Sequence, residues 1–93
     1  MLKIEFTNQF KKDFKLIKKR GYDIKKFIKV VELLQKQETL PAKYKDHQLT
    51  NSRDYKDVRE CHIEPDWLLV YRIKNEILIL ELSRTGTHSD LFK

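Results

Sequence analysis

The stretch VRECHIEPDWLLVYRIKNEILILELSR, residues 58–84, decides the fold because apolar and polar residues tend to alternate along it. A period of two residues is typical of β-strands, whose successive side chains point to opposite faces. Consecutive strands joined by tight turns must run antiparallel, so this stretch predicts a three-stranded meander. The predicted strands are 58–63, 67–73 and 77–84.

Upstream of residue 41 the apolar residues first alternate and then recur at helical spacing. Residues 2–6 alternate and predict a short strand. Thr7 offers an N-cap for a first helix that Gly21 ends, and Asp23 offers a cap for a second helix that fades near residue 36. The apolar stripes of the two helices are Phe10, Phe14 and Ile17 in the first and Ile24, Phe27, Ile28, Val31 and Leu34 in the second.

The order of these elements predicts an α+β protein with a single domain, residues 1–93. Two amphipathic helices joined by so short a link should pack as an antiparallel hairpin, with both apolar stripes toward one face of the sheet. Ninety-three residues suffice for one domain with a thin core. Residues 41–56 are polar and predict a loop between the two parts.

Composition excludes several classes of protein. There is no apolar run near the ~20 residues of a membrane span, and residues 1–6 do not look like a signal peptide, so we expect a cytoplasmic protein without membrane contact. Cys61 is the only cysteine, which excludes an internal disulfide and a CxxC zinc site. Two glycines leave no phosphate-cradling loop, so no cofactor is expected.

Charge is unevenly distributed along the chain. The formal net charge is +6; residues 1–45 hold thirteen Lys or Arg against five Asp or Glu, and residues 46–93 hold seven against nine. A basic half would attract a polyanion through counterion release. Lysine-rich helices are also common solvated surfaces, so charge alone indicates only that an anionic partner, RNA or an acidic protein segment, is plausible.

All three histidines lie outside the two predicted helices, at positions where catalytic groups could meet. In a meander the end of the first strand, the start of the second and the end of the third share one rim. That rim would carry His62, Asp66 and Arg84, with His88 just beyond it and His47 free to join from the loop.

These residue types match the needs of metal-independent RNA cleavage. The reaction needs a base for the ribose 2′-hydroxyl, an acid for the departing 5′-oxygen and a cation for the charge that develops on phosphorus. Histidine can serve as acid or base near neutrality, and arginine offers donors matched to phosphate oxygens. Trp67 or Phe92 could stack on an unpaired base.

Each residue also has a simpler interpretation. Asp66 after Pro65 is an ordinary turn former, and Trp67 at the start of an alternating strand is typical of a core residue. Arg84 could pair with Glu81 or Glu60. Three histidines and a carboxylate could bind Zn²⁺, although none of the usual zinc spacings is present, and Cys61 among apolar neighbours is typical of an inert buried thiol.

Three motifs in the C-terminal part resemble the YafQ family of toxins from bacterial type II toxin–antitoxin systems, within the RelE/ParE superfamily. The motifs are Tyr44-Lys45-Asp46-His47, Arg59-Glu60-Cys61-His62-Ile63-Glu64-Pro65-Asp66-Trp67-Leu68-Leu69-Val70-Tyr71 and Arg84-Thr85-Gly86-Thr87-His88-Ser89-Asp90-Leu91-Phe92. Their order and the layout of the N-terminal part agree with that family, so the resemblance covers nearly the whole chain.

The resemblance implies a β-α-α-β-β-β fold in which the helical hairpin packs on a curved, mainly antiparallel sheet. It implies a ribosome-dependent endoribonuclease that cuts translated messenger RNA in the ribosomal A site without a metal. The implied partners are a cognate antitoxin, messenger RNA and the ribosome, with operator DNA reached only through the antitoxin. The implied catalytic residues are His47, His62, Asp66, Arg84 and His88, and the implied substrate-binding residues are Trp67 and Phe92.

Within the catalytic set, the resemblance makes Asp66 or His47 the base, His88 the acid, and His62 with Arg84 the stabilisers of the phosphate. Two other functions stay open. A ParE-like toxin would share the fold and act on DNA gyrase through protein contact, but that subfamily lacks the histidine set. A non-catalytic RNA- or protein-binding module would use the histidines only for structure.

Overall fold

The computed structural model describes residues 1–49 and 58–92, in which one sheet carries two long helices. The strands are β1 (Lys3–Phe6), β2 (His47–Gln48), β3 (Arg59–Glu64), β4 (Trp67–Lys74) and β5 (Ile79–Gly86). The helices are α1 (Asn8–Lys19), α2 (Ile24–Gln35) and α3 (His88–Leu91), and short 3₁₀ turns span Ala42–Tyr44 and Asn75–Ile77.

The sheet has the strand order β1-β5-β4-β3-β2. β3, β4 and β5 form the predicted antiparallel meander, and β2 adds to the free edge of β3 in antiparallel orientation. β1 pairs with β5 in parallel orientation, with Lys3 opposite Ile79 and Phe6 opposite Leu82. The α+β prediction and the mainly antiparallel sheet are therefore confirmed.

The ends of the helices follow the predicted signals. The Thr7 side chain accepts a hydrogen bond from the backbone N–H of Phe10, and the Asp23 side chain accepts one from that of Lys25. Gly21 has φ +81°, the left-handed conformation that lets the chain leave α1 and turn into α2. The two helices consequently form the predicted hairpin.

The core lies between this hairpin and one face of the sheet. The helices contribute the buried Phe10, Ile17, Phe27, Val30, Val31 and Leu34, and the sheet contributes Cys61, Ile63, Trp67, Leu69, Tyr71, Leu80 and Leu82. Ile28, predicted on the apolar stripe, is instead 49% exposed, while Val30 is fully buried. The inward stripe of α2 is therefore rotated slightly from the predicted one.

Two regions differ from the prediction. Part of the predicted loop 41–56 is ordered into the 3₁₀ turn Ala42–Tyr44 and the edge strand β2, so His47 lies in the sheet; residues 50–56 of that loop lie outside the described residues. The predicted tail after β5 instead forms α3, which the Thr87 side chain caps. Within the described residues, no helix is long and apolar enough to cross a membrane.

Candidate active site

The sheet face opposite the two long helices carries a row of histidines. Cys61 and Ile63 of β3 point into the core, so the alternating residues Glu60 and His62 point to the other face. His47 of β2 lies directly opposite Glu60 in the register and therefore shares that face. Two neighbouring strands thus bring two histidines and a carboxylate together.

His62 is the central and least exposed imidazole of the row. Its Nε2 atom lies 3.4 Å from Oε1 of Glu60, and its Nδ1 atom lies 3.2 Å from the backbone oxygen of Pro65. The side chain of Glu60 is only 6% exposed. Both ring nitrogens therefore face oxygen atoms, and the ring is held between the Glu60 carboxylate and the backbone of the β3–β4 turn.

The imidazole of His47 is held by a backbone oxygen close to it in the chain. Its Nδ1 atom lies 2.7 Å from the backbone oxygen of Lys45, and a carbonyl can only accept, so Nδ1 carries the proton in this contact. Nε2, 3.9 Å from Oε1 of Glu60, is then the nitrogen available to take a proton. The side chain is half exposed, which leaves room for a substrate to approach it.

His88 is held by Asp66 across the gap between the β3–β4 turn and α3. Oδ1 of Asp66 accepts from the backbone N–H of His88 at 3.1 Å and lies 3.0 Å from Nδ1 of the same residue. These hydrogen bonds from His88 hold the pKa of Asp66 below its usual range. Asp66 is therefore an ionised partner that orients the imidazole and leaves its Nε2 free for proton transfer.

The three imidazoles form a row with His62 in the middle. Ring centroids of His47 and His62 are 6.3 Å apart, and those of His62 and His88 are 5.7 Å apart. Phe92 extends the row beyond His88 at 6.4 Å and is 45% exposed, so its ring can contact a substrate base. The histidines that the sequence placed in three separate segments are brought together by the fold.

The same groups could hold a transition-metal ion. One ligand atom each from Glu60, His62 and His88 lie within 4.8 Å of one another. Imidazole nitrogen and carboxylate oxygen are ordinary ligands of Zn²⁺ and Cu²⁺. An ion bound there would occupy a ring nitrogen of His62 and one of His88, two of the three histidines in the row.

Arg84 is fixed by α1. Its Nε and Nη2 atoms donate to the carboxylate of Asp13 at 3.0 and 3.1 Å, and the backbone N–H of Thr85 donates to the same carboxylate at 3.2 Å. Asp13 is thus an ion-pair partner that the sequence did not suggest. The side chain of Arg84 is 25% exposed.

The substrate-stacking role predicted for Trp67 is wrong in this structure. The side chain is 1% exposed, and Nε1 donates to Oγ1 of Thr85 at 2.9 Å inside the protein. Tyr22 packs edge-on against the indole at 5.0 Å between centroids. With its ring covered by protein, Trp67 supports β4 and β5 beneath the site. Cys61 is fully buried, as expected of an inert thiol.

Three interactions hold α3 and therefore His88 in place. Thr87 and Asp90 form a capping box at the start of the helix. Arg20, the C-cap residue of α1, donates to both carboxylate oxygens of Asp90 at 2.7 and 3.2 Å. That guanidinium holds the pKa of Asp90 well below its usual range.

Sequence reasoning missed Glu60 and Asp46 as parts of the site. Glu60 could have been found, because it lies two residues before His62 and must share its face of the strand. Asp46 accepts from Arg59 at 3.1 Å and from the hydroxyl of the buried Tyr71 at 2.5 Å, and so holds the segment that carries His47. No pattern in the sequence indicates these two tertiary contacts.

Comparison with known proteins gives full-length similarities. The profile of the family described as "Bacterial toxin of type II toxin-antitoxin system, YafQ" matches residues 2–93. The "mRNA interferase toxin YafQ" of Escherichia coli (strain B / BL21-DE3) is 46% identical over 90 residues, 96% of this chain and 94% of that protein.

Two solved structures are also similar over nearly their whole length. A metal-bound toxin from Helicobacter pylori has a TM-score of 0.92 and 49% identity, covering 99% of this chain and 100% of that one. The E. coli DinJ-YafQ complex contains a chain with a TM-score of 0.88 and 42% identity, with complete coverage of both chains. The similarity therefore extends from sequence to tertiary structure.

Proposed function

Because the chain belongs to the YafQ family of bacterial toxins of type II toxin–antitoxin systems, we propose that it is an mRNA interferase that cuts translated messenger RNA. The observation that carries the proposal is the row His47–His62–His88 on the open face of the sheet. In this row, His47 and His88 can transfer protons and lie on opposite sides of His62, which can hold a phosphate. The site of action, messenger RNA on the ribosome, places the protein in the cytoplasm.

We assign the role of base to His47. Its Nδ1 proton is directed to the backbone oxygen of Lys45, so Nε2 can accept the proton of the ribose 2′-hydroxyl. The 2′-oxygen then attacks the adjacent phosphorus. Asp66, the other residue considered as the base, already accepts two hydrogen bonds from His88, and this geometry favours an orienting role for it.

His88 is the acid in this scheme. The attacking 2′-oxygen and the leaving 5′-oxygen lie on opposite sides of the phosphorus atom. The group that protonates the 5′-oxygen should therefore lie at the other end of the row from the base. Asp66 accepts a hydrogen bond from Nδ1 of His88 and so leaves Nε2 to carry the proton that is transferred. The Nε2 proton passes to the leaving 5′-oxygen, and the other product ends in a 2′,3′-cyclic phosphate.

His62 lies between them and stabilises the charge that develops on the non-bridging phosphate oxygens. Glu60 and the backbone oxygen of Pro65 fix the orientation of its ring. Arg84 adds a second cation, fixed by Asp13 before the substrate arrives. Base, acid and charge stabilisation then all come from side chains, which supports a reaction that requires no metal.

The proposed partners follow from this activity. The ribosome would present single-stranded message in its A site, and Phe92 would stack on one of its bases. The related E. coli toxin has been solved in complex with DinJ. We propose that a cognate antitoxin covers the open sheet face of this chain and that operator DNA is contacted only through the antitoxin.

The test is the cleavage of a translated message by the His88→Ala variant. Loss of a general acid typically lowers the rate about 10²–10⁴-fold. We expect primer extension on a message in a translating extract to show discrete cuts with the wild type and none with the variant. Ser89→Ala, an exposed neighbour on α3, is the matched control and should cut normally. Normal cleavage by His88→Ala would contradict the assignment.

The same extract separates the alternatives. A gyrase poison would damage DNA and leave the message uncut, and a binding module would retain RNA with no cut in any variant. Either result would show that the histidine row does not cleave RNA.

A further inference from the structure

A pocket lined by lysines opens beside the histidine row. It has a volume of about 490 Å³, and its wall is made by Lys26 and Lys29 of α2, residues 43–45, and residues 62–65. We infer that this lysine pocket is a subsite for RNA backbone phosphates neighbouring the one that is cut. The inference rests on the proposed function and adds a second binding region to it.

The lysine pocket is continuous with the active site through two residues. His62, the central imidazole of the row, also lines the pocket. Lys45 also lines the pocket, and its backbone oxygen holds Nδ1 of His47. A nucleotide chain whose phosphate lies over His62 can therefore continue directly into the pocket.

The pocket is strongly positive. Lys26 is partly balanced by Glu64, whose Oε1 lies 3.4 Å from its Nζ. Lys29, Lys43 and Lys45 form no ion pair with any other described residue. Lysine ammonium groups bind phosphates as point charges and do not read base identity, so the subsite would accept RNA of any sequence.

Local structure determines where two of these lysines lie on the pocket wall. Lys43 extends over the ring of Tyr44 with Nζ 5.1 Å from the centroid, and Tyr44 itself is buried. Lys45 is the C-cap residue of the 3₁₀ turn and has φ +48°, a left-handed conformation. The backbone of this one turn therefore carries both lysines on the pocket wall.

The distribution of charge around His62 favours RNA over an acidic protein segment as the ligand of the pocket. On the side of α2, a nucleotide chain leaving His62 meets the four lysines of the pocket, and among the residues that line it only Glu64 carries negative charge. A phosphodiester chain anchored at His62 is therefore attracted into the pocket. An acidic peptide has no reason to start from the catalytic imidazole.

The experiment measures the salt dependence of RNA binding. The probe is a 2′-O-methylated oligonucleotide of twelve nucleotides, which cannot be cleaved because its 2′-oxygen is blocked. Fluorescence anisotropy over a KCl series gives the slope of log K against log [salt], to which each neutralised phosphate of a single strand contributes about 0.7 in magnitude. The pocket variant is Lys29→Gln/Lys43→Gln. The control is Lys11→Gln/Lys15→Gln, which removes two exposed lysines from α1.

We expect the magnitude of the slope to decrease by about 1.4 in the pocket variant and to stay unchanged in the control. Equal decreases in both variants would show general attraction to a basic protein and overturn the proposal. So would an unchanged slope in the pocket variant. A polyglutamate peptide of matched charge is measured in parallel, and equal or greater weakening of its binding would assign the pocket to a protein partner.

Failure of the subsite can be separated from failure of the proposed function. Cleavage of a translated message by the wild type tests the function, while binding of the blocked oligonucleotide tests the pocket alone. If the wild type cuts and the pocket variant keeps its slope, only the subsite is wrong. Thermal unfolding of each variant is expected to match the wild type, because the four replaced side chains are exposed.

Discussion

At the scale of single residues, Glu60 organises the candidate site. Its nearly buried carboxylate lies against Nε2 of His62 and within 3.9 Å of Nε2 of His47. A buried carboxylate needs such partners, because an unpaired charge in the protein interior is costly. The same residue joins His62 and His88 in a possible metal site. A metal ion bound there would therefore engage two of the three histidines of the row.

We predict that Zn²⁺ inhibits cleavage and that EDTA reverses the inhibition without lowering the metal-free rate. Glu60→Gln removes one charged ligand and should raise the half-inhibiting Zn²⁺ concentration about 10-fold or more. The comparison uses this concentration, and not the rate itself, because the variant also lacks the charged partner of His62. Glu76→Gln, in the 3₁₀ turn Asn75–Ile77, serves as the control. Loss of activity in EDTA with recovery in Zn²⁺ would contradict a metal-independent reaction.

At the scale of elements, the four-residue helix α3 decides whether His88 reaches the site. A helix this short is not stable by itself, so its position depends on tertiary contacts. Arg20 at the end of α1 supplies one through Asp90. Gly86 supplies another: its φ is +151°, and a Cβ there would lie 2.9 Å from Oδ2 of Asp90. α1 thereby holds in place the short helix that carries His88, about 70 residues further along the chain.

We predict that Asp90→Asn destabilises the fold at pH 7 by about 1 kcal/mol, a value reduced for the partial exposure of the ion pair. The pKa of Asp90 is lowered in the folded state, so its contribution is complete above the unfolded value of about 3.9 and is lost as pH falls toward the lowered pKa. Thermal unfolding at a series of pH values should therefore show a difference between variant and wild type that shrinks below about pH 4.

The exposed carboxylate of Glu38, replaced by Gln, is the control for this series. A constant difference between Asp90→Asn and the wild type at all pH values would show that the ionised carboxylate is not the source of the stabilisation. Cleavage by Asp90→Asn should also decrease at pH 7, because α3 carries His88.

At the scale of the whole molecule, one layer of helices covers one face of the sheet, and the histidine row lies on the other face. Cys61 marks the covered face, fully buried at the centre of β3. The side chains of Glu60 and His62, its neighbours on either side, point to the opposite face. Burial raises the pKa of the Cys61 thiol, which further suppresses its reactive thiolate form.

We predict that Cys61 does not react with an aromatic disulfide reagent in native buffer at about pH 8 and reacts stoichiometrically in denaturant. Because the thiol is fully buried in the core between the sheet and the helical hairpin, its labelling requires the hairpin to separate from the sheet. The labelling rate over a denaturant series should follow the unfolding measured by circular dichroism. Rapid labelling of the folded protein would contradict the packing of α1 and α2 on the sheet.

Local signals in the sequence determined the elements of this fold. Thr7 and Asp23 cap helices, Gly21 ends one, and the alternation in residues 58–84 forms a meander, because each depends only on neighbouring residues. The three motifs also placed the chain in its family. The hydrogen bond from Trp67 to Thr85 and the ion pair that joins α3 to Arg20 were not determined in this way, since both connect distant segments.

The histidines and carboxylates of the C-terminal half could be selected from the sequence, but their arrangement could not. Only the tertiary structure decided that Glu60 lies between His47 and His62, that Asp66 orients His88, and that Asp13 of α1 fixes Arg84. The physical reason is that hydrogen bonds and ion pairs between distant segments depend on the register of the strands and the position of the helices. Residue types limit the chemistry, whereas the packing of the chain sets which group faces which.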